Sequence, residues 1–249
     1  MEYDNKAILK VKGARIVRKR QTGTAFELQI PSFSVSSGQM TCVVGESGCG
    51  KSTLLDFLAL VLRAEELDSF YIVDNDNDID IAELWSCGRD SRLASVRRKL
   101  LGYVLQQGGL LPFLTIKDNL MLPVRLKGIK TSQSNLESMA SELGISKFLH
   151  VKPATLSGGQ RQRAAILRAM VHEPVIILAD EPTAAVDRKR AQKIIHDFKT
   201  LASKQGTAIV MVTHDQQLVR DVADSWYSFK LDYSKPACIS STCYKVNAT

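Results

Sequence analysis

The chain has no CxxC pair, and no histidines stand at metal-ligand spacing among its cysteines. Those cysteines (Cys42, Cys49, Cys87, Cys238 and Cys243) are odd in number and scattered, which argues against a disulfide framework or a zinc site and for a reducing compartment. Also lacking is any run approaching the roughly 18 apolar residues of a spanning helix. The opening "MEYDNKAILK" carries no apolar core of the kind a secretory signal needs. The expectation is a chain soluble by itself, for which any membrane role needs a partner. No internal repeat or low-complexity tract occurs.

What is present is ordinary globular material: 249 residues, 45% hydrophobic and 24% charged, enough for one large domain or two small ones. The net charge of +7 suits an anionic ligand, nucleic acid or an anionic membrane face, and equally a solvated basic surface.

Three apolar runs punctuate the sequence: "MTCVVG" at 40–45, "VIILADE" at 175–181 and "AIVMVTH" at 208–214. None alternates with polar residues, so they read as strands of a parallel sheet buried on both faces. Each ends in residues with chemistry, which matters because open α/β sheets bind ligands outside the carboxyl ends of their strands. Helical stripes lie between them: Leu54, Leu55, Leu58 and Leu62; Leu136, Met139, Ala140 and Leu143; and Ala191, Ile194, Ile195, Phe198 and Leu201, closing on Gly206. Before Met40, "ILKVKGARIV" and "TAFELQIPSFSV" predict an antiparallel sheet of short strands. Residues 68–98 read as a second irregular region, whose "DNDNDIDI" fails the calcium-loop pattern because Ile79 and Trp85 stand where glycine and glutamate are needed. It reads as a solvated loop.

"GESGCGKS" at 45–52 fits the phosphate-loop pattern in full, after a strand and before a helix. Its glycines let backbone N–H groups converge on phosphate oxygens, and the helix N-terminus adds a favourable dipole. The loop and its flank, Gly45, Glu46, Ser47, Gly48, Cys49, Gly50, Lys51, Ser52 and Thr53, are the expected nucleotide cradle, with Lys51 on the β- and γ-phosphates and Ser52 on Mg²⁺. "VIILADE" adds adjacent acids. Asp180 can hold the metal, and Glu181 can orient or deprotonate an attacking water. Gln106 and His214 also end predicted strands; an amide can touch both metal and water, and an imidazole can contact the γ-phosphate. "LSGGQRQR" at 156–163 makes a second helix N-terminus with exposed N–H groups, though an ordinary cap by Ser157 would account for much of it.

In order and spacing these segments resemble the ATP-binding cassette ATPases of membrane transporters, over nearly the whole chain. "GESGCGKST" resembles their Walker A, Gln106 their Q-loop, "LSGGQ" their signature motif, "VIILADE" their Walker B, "PTAAVD" their D-loop and "VTHD" their switch histidine. The resemblance implies a P-loop core with a parallel sheet, an N-terminal antiparallel β subdomain and a helical signature subdomain at about 108–170. The cassette is expected to span residues 1–235, with a C-terminal tail at 236–249. It further implies that cassettes dimerise head to tail, so that Ser157, Gly158, Gly159 and Gln160 face the partner's ATP, with Ser157 and Gly159 holding its γ-phosphate. Integral membrane subunits would be the other partner, at the cytoplasmic face of the inner membrane, and "GGLLPFLTI" after Gln106 would meet them. The branch most resembled powers lipoprotein release, macrolide-type efflux and cell-division complexes. A regulatory ATPase driving periplasmic enzymes without transport is the alternative. A soluble cassette of DNA repair or translation fits less well, and no nucleic-acid partner is expected.

Two departures matter. The aromatic residue on which the family stacks adenine has no counterpart around Ile16 and Val17, leaving Arg15 or Arg18 to lie over the ring. Cys49, inside the loop, is expected to react with bulky thiol reagents and so block ATP.

Overall fold

The computed structural model describes residues 7–19, 25–74, 77–184, 186–235 and 238–246. Among them, one ten-stranded sheet runs in the order β5, β4, β1, β2, β10, β9, β3, β8, β7, β6. The strands are β1 (Ala7–Lys19), β2 (Ala25–Ser36), β3 (Met40–Val44), β4 (Ser69–Asp74), β5 (Asn77–Asp80), β6 (Leu101–Val104), β7 (Ile176–Asp180), β8 (Ala208–Thr213), β9 (Ser225–Lys235) and β10 (Cys238–Val246). The helices are α1 (Lys51–Leu58), α2 (Ile81–Ser86), α3 (Asp90–Leu100), α4 (Ile116–Lys127), α5 (Gln133–Glu142), α6 (Gly158–Met170), α7 (Arg188–Lys204) and α8 (Gln216–Val219).

The non-alternating runs become β3, β7 and β8, which pair in parallel with one another and with β9 and β6. Their side chains divide by parity between two cores. Ile176, Leu178, Val210, Val212 and Val43 pack with α1, α2 and α3 on one face. Ile177, Ala179, Ile209, Met211 and Cys42 pack with α4, α5, α6 and α7 on the other. Burial on both faces explains the missing polar alternation. The expected antiparallel sheet is β1 and β2, joined on its far side by β4 and β5.

Two expectations are corrected. Residues 68–98 are not an irregular loop but the hairpin strands β4 and β5 followed by α2 and α3. Of the acids that suggested a loop, Asp74 ends β4 and Asp78 and Asp80 lie on β5, while Phe70 and Ile72 of β4 point inward, and Phe70 meets Phe57 and Trp85 with ring centroids 5.2 Å and 5.8 Å away. The segment taken for a tail at 236–249 contains β10, an interior strand parallel to β2 and antiparallel to β9. It buries Ser241 and Cys243 completely, so this strand is part of the sheet and its core.

His172, after α6, is buried and its Nε2 lies 3.1 Å from the Leu101 carbonyl oxygen. Burial pushes its pKa down from 6.5 to about 4, so the native state favours the neutral ring. Its contribution is therefore full above pH 6.5 and lost as pH falls toward 4, about 3 kcal/mol in all at 1.4 kcal/mol per unit. Denaturant titrations across that range should show this decline in the native protein, and a flatter one in His172→Asn.

Candidate functional site

The carboxyl end of β3 delivers the chain into the loop at 45–50, and α1 begins at Lys51. Gly50 has φ +111°, and a Cβ there would lie 3.0 Å from Phe26 Cζ, so both the turn and the close approach require glycine. A Cβ on Gly45 would lie 2.6 Å from Cys49 Sγ. The ammonium of Lys51 is buried and donates to the carbonyl oxygens of Gly45 and Glu46, each at 2.8 Å. It thus fastens the mouth of the loop.

The carboxyl ends of the neighbouring strands converge on this loop. Ser52 Oγ donates to Asp180 Oδ2 at 3.4 Å, bringing α1 to the end of β7. Burial is the main reason the Asp180 carboxyl is held above its usual range; Glu181 adds to the shift, while Ser52 and Lys51 oppose it. Glu181, one residue on, has φ +40°, a left-handed conformation that non-glycine residues rarely adopt outside constrained sites. That turn presents its carboxylate to both neighbours: Gln106 Nε2 donates to Oε2 at 3.4 Å, and His214 Nδ1 lies 3.1 Å from Oε1. The Glu181 side chain is 17% exposed and that of His214 63%.

A cavity of about 490 Å³ collects Ser47, Gly48, Gly50, Lys51, Ser52, Thr53, Gln106, Asp180 and Glu181 on its wall, together with Arg18 and Phe26. His214 lies just outside, on an adjoining 150 Å³ cavity that Glu181 shares with Val186 and Arg188. Ser157, Gly158, Gly159 and Gln160 do not line the first cavity; they open α6 elsewhere. There Ser157 Oγ accepts from the Gln160 N–H at 3.3 Å, and Gln160 Oε1 accepts from the Ser157 N–H at 2.8 Å. This capping box stiffens the first turn and uses the side chains of Ser157 and Gln160.

Cys49 departs from expectation. Its side chain turns under the loop and is 1% exposed, and burial raises its thiol pKa, so bulky reagents have no path to it. Maleimide labelling followed by mass spectrometry should modify exposed Cys87 and spare Cys49 in the folded protein.

Of the two arginines the sequence offered, Arg18 reaches the cavity and Arg15 does not. Two contributors escaped the sequence pattern. Phe26, the register partner of Arg18 across β1 and β2, also reaches the cavity. Ser241, on β10, donates to the Cys49 carbonyl oxygen at 2.6 Å and props the loop from below. Both depend on pairing between distant segments, which no local spacing announces.

A phosphate loop between strand and helix, with paired acids at the end of the next strand but one in the sheet, defines a P-loop nucleoside triphosphatase. Residues 28–184 match the protein-family model described as "ABC transporter", and the chain belongs to this family as one of its ATPases. It is 39% identical over 186 residues to the ABC transporter ATP-binding protein YxdL of Bacillus subtilis, covering 74% of this chain and 69% of that protein. It is 36% identical over 199 residues to the lipoprotein-releasing system ATP-binding protein LolD of Legionella pneumophila, covering 79% and 84%. Among solved structures it superposes on the dimeric post-hydrolysis state of the cassette MJ0796 of Methanocaldococcus jannaschii, bound to ADP and Pi. That match has a TM-score of 0.75 and 30% identity, covering 97% of this chain and 100% of the other.

Proposed function

We propose that this ATPase is the nucleotide-driven subunit of a membrane transporter of the export or lipoprotein-release type, closing as a homodimer on MgATP. Separate integral membrane subunits would convert closure and reopening into movement, with the cassette held at the cytoplasmic face of the inner membrane. One observation carries the dimer: the ATP cavity is lined without any part of 156–160, although that stretch opens a second helix N-terminus able to bind an anion. A second copy, placed head to tail, would give that terminus a nucleotide to meet. The dimeric MJ0796 structure supports the pairing of two copies, and the name of LolD, the ATP-binding protein of a lipoprotein-releasing system, supports the transporter reading.

Within each site, Lys51 would release the loop carbonyls and turn to the β- and γ-phosphates, while the loop amides bind the remaining oxygens. Ser52, Asp180 and Gln106 present oxygen donors on one side of the cavity, a set that suits Mg²⁺. The half-buried Asp180 carboxylate gains a counter-charge there. Mg²⁺, when bound, neutralises charge on the phosphates. Glu181 would take the proton of the attacking water, with Gln106 orienting that water and His214 contacting the γ-phosphate. Ser157 and Gly159 of the other copy would close over the same phosphate.

For the membrane subunits the surface offers Leu105, Phe113 and Leu126, which are 47%, 68% and 57% exposed. Beside Leu126 runs a groove of about 410 Å³ edged by Arg97, Arg98 and Arg168. Such apolar residues rimmed by cations suit a short amphipathic helix with acidic ends.

Gentle solubilisation and affinity purification from the native host test this reading. An integral membrane protein in equal amount is expected; recovery of nucleic acid or ribosomes without one would contradict it. In the isolated protein, Lys51→Ala should weaken ATP binding about 10- to 100-fold, the worth of a charge-assisted hydrogen bond, as calorimetry can measure.

A further inference from the structure

The basic charge of the chain is confined to one part of the fold. Residues 89–130, which carry α3, β6 and α4, hold nine of the 33 lysines and arginines and two of the 26 acids, an excess of seven. The other 207 residues hold 24 of each sign, so this segment accounts for the whole net charge of +7. Its two acids, Asp90 and Asp118, sit in the first turns of α3 and α4. That leaves the last turns to cations alone: Arg97, Arg98 and Lys99 in α3, Arg125 and Lys127 in α4. The two ends lie beside one groove, whose wall Arg97 and Arg98 share with Leu126.

Two of these cations are engaged in the fold. Arg97 donates to the Leu60 carbonyl oxygen at 2.9 Å, and Lys127 to those of His172 and Glu173 at 2.7 Å and 3.0 Å. By contrast Arg89, Arg92, Arg98, Lys99, Arg125 and Lys130 are exposed, and among the described residues none of them forms an ion pair or a side-chain hydrogen bond. Elsewhere Arg15, Arg18, Lys199 and Lys204 each face a carboxylate at 2.6 to 2.9 Å. Helix dipoles do not account for the excess, since each C-terminus carries only about half a negative charge. Exposed apolar side chains stand among the free cations: Leu126 is 57% exposed, and Ile129, just past the end of α4, 37%. Cations attract phosphate headgroups, and neighbouring apolar side chains enter the boundary beneath them. A nucleic-acid backbone would satisfy the cations and leave Leu126 and Ile129 without a partner.

We propose that the C-terminal ends of α3 and α4 bind the anionic headgroups of a bilayer, so that the cassette holds to a membrane surface by its own charge as well as through a partner subunit. The contact is peripheral: no described helix is long and apolar enough to cross a membrane. It also leaves the groove to the membrane subunit, because the free cations Lys99, Arg125 and Lys130 do not line it. Each cation near an anionic surface contributes about fivefold in affinity, which is about 1 kcal/mol at 1.4 kcal/mol per tenfold. That attraction fades over a Debye length of about 8 Å at 0.15 M salt and about 3 Å at 1 M.

The test is co-sedimentation of the full chain with phosphatidylcholine vesicles, with and without phosphatidylglycerol, at about 0.15 M and about 1 M salt. The native protein should bind only the anionic vesicles, and only at the lower salt. Lys99→Gln/Arg125→Gln/Lys130→Gln should weaken binding about 30- to 100-fold, at about fivefold per cation, and leave ATP turnover in solution unchanged. Lys193→Gln/Lys230→Gln/Lys245→Gln removes as many exposed cations from α7, β9 and β10 and should cost less than about threefold. Leu126→Ser/Ile129→Ser should cost about 3- to 10-fold, part of the burial energy of two aliphatic side chains. Failure to prefer anionic vesicles, or equal losses in the two triple variants, would overturn the proposal. So would displacement from the vesicles by duplex DNA together with full binding by Leu126→Ser/Ile129→Ser, which would mark a nucleic-acid surface. The reading of the chain as a transporter subunit stands or falls separately, on co-purification.

Discussion

Glu181→Gln should lower ATP turnover by about 10² to 10⁴, the contribution of a positioned acid–base group, while leaving nucleotide affinity intact. The substitution preserves shape and removes only the ability to accept a proton. Gln106 Nε2 and His214 Nδ1, at 3.4 Å and 3.1 Å, are close enough to contact the new amide, so the surrounding geometry is kept. The φ of +40° at this position strains glutamate and glutamine alike, and thermal stability should change little. Lys51 and Ser52 are untouched, so ATP still enters. The expected species is a dimer that closes and fails to reopen. Steady-state phosphate release measures the loss; turnover within threefold of the native protein would remove Glu181 from the chemistry.

Gly159→Asp should reduce turnover by about 10² to 10³, the scale for losing an oriented donor to a developing oxyanion, without harming the monomer. A Cβ at Gly159 meets Val186 Cγ1 at 3.9 Å and Ile194 Cδ1 at 4.0 Å, both ordinary contacts. An acid in the first turn of α6 is also favoured by the helix dipole. The fold therefore accepts the change. What it repels is an incoming phosphate, and in the proposed arrangement that phosphate belongs to the other copy. Nucleotide affinity of the isolated monomer should hold while activity disappears. If monomer affinity fell instead, the signature turn would be acting on its own chain's nucleotide.

Much of the core was legible because it is locally encoded. β3, β7 and β8 declare themselves through runs buried on both faces, and Lys51, Ser52, Asp180 and Glu181 through short spacings at strand ends. The elements that escaped have the opposite character. β4 and β5 alternate too briefly within an acidic stretch of sequence, so the inward Phe70 and Ile72 of β4 were outweighed by the acids. "CISSTCYKV" of β10 lacks an apolar run because Ser241 is buried against the loop carbonyl of Cys49, a long-range contact that satisfies its hydroxyl. Cys49 was misjudged for a related reason: loop membership does not tell which way a side chain faces. In the loop, φ of +82° at Gly48 and +111° at Gly50 on either side turn its thiol inward. Arg18 was named from its place in the chain, but Phe26 was not, because the register of β1 with β2, and no motif, brings the two to the same wall.

The most direct measurement is light scattering of the Glu181→Gln protein with and without MgATP, alongside the Glu181→Gln/Gly159→Asp double variant. The single variant should double its mass only when MgATP is present, and the double variant should bind ATP yet remain a monomer. A mass that ignores nucleotide, or a double variant that dimerises as readily as the single one, would contradict an ATP site shared between the phosphate loop of one copy and the signature turn of the other.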